Sequence, residues 1–212
     1  MLIARAVHEG VHFEFKEDYT GPVENKLGKH VAAFANSHGG LLAIGIKALD
    51  GVASDLIGIT RPDKGFEDSV SQRIASKVRP VPQFALKLVP LDSGRVVLLI
   101  RVGESAYPPH LFDGMIYVRN AAASDPILAD NRAEIDRMYQ KSARVNERLD
   151  QALEETWLRS LNWPNPTAHL IACPLVIMED LVPDCNQQTI EMIHRIAECI
   201  SCGHNVCVVS KE

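Results

Sequence analysis

The sequence predicts an α+β fold, a mixed sheet with packed helices that carries a small C-terminal α/β extension. Three observations lead there. A period-two run near the N-terminus gives way to a helix-period stretch, and two apolar runs flank a tight turn in the middle of the chain. A turn cluster, Asn162-Trp163-Pro164-Asn165-Pro166, then precedes a shorter strand–helix–strand pattern.

The first run, Val11 to Lys16, sets Val11, Phe13 and Phe15 on one side and His12, Glu14 and Lys16 on the other. That alternation marks a half-buried strand and leaves its polar side for chemistry. After Gly21-Pro22, the residues Val23, Leu27, Val31, Phe34 and Ala35 recur at helical spacing until Gly39-Gly40 stops them. Leu41 to Ile46 is too short for several helical turns and reads as a strand, and Asp50-Gly51 supplies a hairpin turn into a strand near Leu56 to Ile59. Val70, Ile74 and Val78 keep a four-residue step, which predicts a helix over Asp68 to Val78 ended by Pro80 and Pro82. Phe84 to Pro90 and Val96 to Val102 flank Asp92-Ser93-Gly94 and form a hairpin, and a last strand spans Met115 to Arg119. From Asn131 to Trp157 the pattern is charged and helical.

These elements divide the chain into a main domain over residues 1–130, a linking or packing helix over 131–161 and an acidic α/β extension over 162–212. At 212 residues, two complete large domains do not fit. The N-terminus lacks the apolar stretch of a signal peptide and no run approaches a membrane span, so a cytoplasmic location without membrane contact is expected. All five cysteines, Cys173, Cys185, Cys199, Cys202 and Cys207, lie in the last quarter, and their odd count reads as reduced thiols. Cys199, Cys202, His204 and Cys207 offer zinc-ligand types but are too crowded for a typical finger, and the first two also fit the buried end of a helix.

Net charge is −5, which by itself argues against a phosphate-rich partner. Its distribution reverses that reading. Residues 1–144 hold 18 of the 22 Lys and Arg against 17 of the 27 Asp and Glu, whereas residues 145–212 hold 4 against 10. The acidity belongs to the tail, and the first segment has the composition to carry a basic face.

Several pieces follow in order: Glu9, Glu14-Phe15-Lys16, Ala33-Phe34-Ala35-Asn36-Ser37-His38-Gly39-Gly40 leading into Leu41 to Ile46, Arg79-Pro80-Val81-Pro82, Pro108-Pro109 and Tyr117-Val118-Arg119. Together they resemble the Schlafen AlbA-like family, a bacterial-type nucleic-acid-associated module. The likeness runs from Glu9 to Leu128. It implies binding of DNA or RNA, in a regulatory role, and in Schlafen proteins a cluster of three carboxylates that cuts RNA with a divalent metal. Glu9 and Glu14 match the first two carboxylates. The third is expected after the glycine-bounded strand, where this chain reads Ile44-Gly45-Ile46-Lys47, with Asp50 three residues on.

Two functional expectations of different class follow. In the first, the domain holds nucleic acid without a required cofactor, through phosphate contacts by Lys16, Lys47 and Arg119. In the second, Glu9, Glu14 and Asp50 hold Mg²⁺ or Mn²⁺ and the protein is a metal-dependent endoribonuclease. A third expectation makes the acidic extension a surface for a protein partner or for homo-oligomer assembly. The stretch Gly21 to His30 is not a nucleotide-binding P-loop, because six residues separate its glycines where about four are needed and His30 replaces the Ser or Thr. His8, His12, His30, His38 and His110 are scattered, and sequence alone gives none of them a general-base role.

Overall fold

The computed structural model describes residues 7–120 and 123–160. The fold is α+β, and the chain divides into compact units over Met1–Ser142 and Ala143–Glu212. The C-terminal strand–helix–strand pattern, the cysteines and His204 lie outside the described residues. Among those described, no helix is long and apolar enough to cross a membrane.

The first unit is built on β1 (Phe13–Lys16), α1 (Gly21–Asn36) and β2 (Gly40–Ile44). β1 and β2 pair in parallel, with Glu14 opposite Leu42, so α1 is the crossover that parallel strands require. The helix begins at the Gly21-Pro22 pair itself, because proline is tolerated in the first turn, where its missing N–H has no helical partner. Gly45, at φ +100°, ends β2 and lets the chain turn into β3 (Ile46–Leu49). The run read as one strand is therefore two. A Cβ at Gly45 would meet the Gly58 backbone at 2.8 Å. Asp50 and Gly51, both at positive φ, form the two-residue loop into β4 (Val52–Leu56), which starts four residues earlier than predicted.

β6 (Phe84–Pro90) and β7 (Val96–Val102) form the predicted hairpin with its predicted bounds, and β7 pairs with β2 to give the sheet order β1-β2-β7-β6. A second sheet, β10-β9-β8-β5, contains β5 (Val78–Arg79), β8 (Leu111–Phe112), β9 (Met115–Asn120) and β10 (Ala123–Leu128). Of these only β9 was visible in the sequence. β5 and β8 have two residues each, and β10 is interrupted by a register shift across Asp125-Pro126. The second helix, α2 (Phe66–Lys77), is capped by Gly65, and α3 (Arg132–Ser160) begins where Ile135 and Met138 pack on Val118 and Ala129.

Both faces of the first sheet are covered. Leu42, Ile44, Leu98 and Ile100 face a core shared with Leu27, Val31 and Phe34 of α1 and with Val70 and Ile74 of α2. Phe15, Ala43 and Val97 face the other way, under Ile46 and Ala53 of the β3–β4 hairpin. Every residue of α1 from His30 to Ala35 is buried, as a helix packed against strands of both sheets must be.

Two residues at the end of α1 staple the second sheet in place. Asn36 Nδ2 donates to the carbonyls of His110 (2.8 Å) and Tyr117 (2.9 Å), and its Oδ1 accepts the His110 N–H at 2.7 Å. Ser37 Oγ accepts the Arg119 N–H at 2.8 Å. The Gly39-Gly40 pair is architectural as well. A Cβ on Gly40 would lie 2.4 Å from the Phe34 ring, and one on Gly39 would lie 2.8 Å from the Val102 carbonyl.

Candidate functional site

The strand alternation that places Phe13 and Phe15 under the β3–β4 hairpin turns Glu14 and Lys16 toward α1. The polar side of β1, expected to face solvent, is the side the helix covers, and Glu14 is only 1% exposed. A buried carboxylate is costly unless it is paired and hydrogen-bonded. Lys16 Nζ donates to its Oε1 at 2.6 Å, and Arg119 Nη1 donates to its Oε2 at 2.7 Å.

Arg119 arrives from β9 of the other sheet, and its side chain is fully buried. Nε donates to the Gly10 carbonyl at 3.1 Å, and Nη2 donates to the carbonyls of Gly10 and of Phe13 (3.2 Å). The guanidinium also lies 4.9 Å from the centre of the Phe34 ring. Every guanidinium nitrogen thus donates within the protein. Arg119, expected to touch phosphate, is a buried clamp between the sheets.

His30 completes the cluster from α1. It is 3% exposed, and among the described residues its Nδ1 lacks a hydrogen-bond partner, with Glu14 Oε2 3.8 Å away. Burial, reinforced by the positive charges of Lys16, Arg119, Lys29 and Lys26, pushes the imidazole pKa well below its ordinary value. The ring is neutral, so the 3.8 Å contact is not an ion pair. Asp125 of β10 closes the open side, with its Oδ1 3.8 Å from Lys16 Nζ.

Glu9 and Asp50 do not join this group. Glu9 Oε1 accepts the Phe15 N–H at 3.1 Å, and its own N–H donates to the Gly51 carbonyl at 2.7 Å, which ties Glu9 to the hairpin turn. Asp50 is exposed in that turn, and Lys47 is exposed on β3. Among the described residues, the metal-ligand types that gather are Glu14, His30 and Asp125, whose ligand atoms lie within 4.8 Å of one another. The three-carboxylate metal cage implied by the resemblance therefore does not fit. Glu14 already has a cation on each oxygen, Glu9 serves a backbone amide, and Asp50 is in its turn. Sequence reasoning missed His30 and Asp125. His30 lies three residues after Leu27 and four before Phe34, so the apolar stripe of α1 did signal its burial.

The family model for Schlafen, AlbA_2 matches residues 9–128, more than half of the chain. The chain belongs to the Schlafen AlbA_2 family. Within it, the Glu14-Phe15-Lys16 and Tyr117-Val118-Arg119 segments are the two ends of one buried ion-pair network. No curated protein matches the chain. Among solved structures, the DIP2311 protein from Corynebacterium diphtheriae is similar at 23% identity and a TM-score of 0.42, over 59% of this chain and 28% of that one. The N-terminal domain of a RecG-related protein from Nitrosomonas europaea is similar at 24% identity and a TM-score of 0.39, over 60% of this chain and 86% of that domain.

Proposed function

We propose that this AlbA_2 domain is a nucleic-acid-binding module that contacts the phosphate backbone of DNA or RNA. The observation that carries the reading is the placement of Lys26 and Lys29 three residues apart on α1, with part of each side chain at the surface, and of Lys16 on the strand that α1 covers. Arg119 is buried, but Lys26 is exposed, Lys29 is half-buried and Lys16 is 29% exposed, so three lysines of α1 and β1 keep part of their side chains at the surface. Lys29 Nζ lies 5.0 Å from the centre of the half-buried Tyr117 ring, which puts an aromatic face beside the charges. Ammonium groups with an adjacent ring suit a sugar–phosphate backbone and carry little sequence information. Family membership supports the same reading. Lys47 belongs to the separate β3–β4 hairpin and is a peripheral contact at most.

Hydrolysis by a Glu9–Glu14–Asp50 metal cage is the weaker reading, because both oxygens of Glu14 hold cations of the protein. The test is fluorescence anisotropy of the full chain with short RNA and DNA duplexes and single strands across a salt series. Binding should weaken steeply with salt, and Lys26→Ala/Lys29→Ala should lower the duplex-DNA log–log slope by about 2. Lys47→Ala, as the control arm, should change affinity less than about twofold. Absence of salt-sensitive binding to every probe would sink the proposal.

A further inference from the structure

Glu14, His30 and Asp125 are ligand types that hold a divalent metal, and they converge from three elements, β1, α1 and β10. Lys16 Nζ stands among them, 2.6 Å from Glu14 Oε1 and 3.8 Å from Asp125 Oδ1. We propose that Lys16 is the built-in cation of this seat, holding by its ammonium group the place of a divalent ion, and that removing it exposes a latent Zn²⁺ site made by Glu14, His30 and Asp125.

Charge balance supports the assignment. Two carboxylates, Glu14 and Asp125, face two cations, Lys16 and Arg119. The seat is already compensated, and an added dication would meet an ammonium group at short range. Taking away Lys16 leaves one uncompensated negative charge. It also frees Glu14 Oε1, while Arg119 keeps Oε2 in position.

The two cations differ in what else they do. Arg119 is tied to the carbonyls of Gly10 and Phe13 and holds the sheets together. Among the described residues, Lys16 Nζ pairs with the carboxylates of Glu14 and Asp125, and its side chain is 29% exposed, so its head group is separable from the scaffold. His30 supplies the second, independent sign of a ligand seat. Its Nδ1 is buried, faces Glu14 and has no hydrogen-bond partner among the described residues, which is unusual for a buried polar atom. Neutral imidazole is the form that ligates a metal. Asp125 is largely exposed and free to adjust, so three protein ligands and a water complete a tetrahedral N/O set.

The experiment is Zn²⁺ titration of the full chain by calorimetry, without nucleic acid, so that its outcome is separate from that of the binding reading above. Wild type, Lys16→Met and Lys16→Met/His30→Gln are compared, and any zinc taken by the cysteine-containing tail is common to all three. Lys16→Met should gain a site about tenfold or more tighter than any wild-type site outside that common background, and the double variant should lose it. Circular dichroism checks folding, and Lys16→Gln repeats the measurement if Lys16→Met is not folded. Wild type binding zinc through His30 as tightly as the variant overturns the proposal. So does a folded Lys16 variant that gains no site.

Discussion

Two junctions join β1, α1 and β2 to the second sheet, and they are built on opposite principles. At the Asn36–Ser37 staple the groups are neutral, and each strong donor meets an acceptor: Asn36 takes two carbonyls and one N–H, and Ser37 takes the Arg119 N–H. At the Glu14 seam the groups are charged, and among the described residues the pairing is incomplete because His30 Nδ1 has no partner. Arg119 serves both, with its backbone in the staple and its side chain in the seam. The contrast separates architecture from chemistry. A neutral, satisfied network specifies how layers dock, whereas the charged network compensates its carboxylate and still leaves one buried ring nitrogen without a partner among the described residues.

The sharpest way to break the comparison is Arg119→Met. It leaves Glu14 buried without its guanidinium and should cost about 3–5 kcal/mol in urea unfolding. A loss under about 1 kcal/mol would mean that Lys16 alone compensates the carboxylate. Asn36→Ala strands two carbonyls and one N–H at the staple and should cost about 2–4 kcal/mol in the same measurement.

The smallest effect concerns the pH dependence of stability. The folded pKa of His30 lies below its ordinary 6.5, so the unfolded chain takes the proton first and stability falls as pH drops below 6.5. The groups acting on the ring are Glu14, Lys16, Arg119, Lys29 and Lys26. His110, also shifted down by burial, contributes with the same sign from the staple side. His30→Gln should therefore flatten part, and only part, of the decline in unfolding free energy between about pH 7.5 and about pH 5.5. A variant whose decline matches wild type would place no titration at the seam.

The parts of the fold legible in sequence were those set by local chemistry. The β6–β7 hairpin was readable because two apolar runs flank a short turn, and α1 because its stripe is closed by Gly39-Gly40. β5, β8 and β10 were not, since strands that short, or broken at a proline, are defined by their partners rather than by their own pattern. The site was half legible. Glu14, Lys16 and Arg119 were singled out, but alternation says only that Glu14 points away from Phe15, not that the far side is also buried. Asp125 reaches the seam from 111 residues beyond Glu14, and no local signal joins the two.

The clamp at Arg119 bears on the order in which the domain is made. β1, α1 and β2 leave the ribosome before β9, yet their central carboxylate is compensated in full only when a guanidinium 105 residues later has been synthesised. The N-terminal third is therefore no independent folding unit, and closure of the domain is a late, long-range event. A nascent chain halted before β9 should remain open to protease, and one extended past β10 should become resistant.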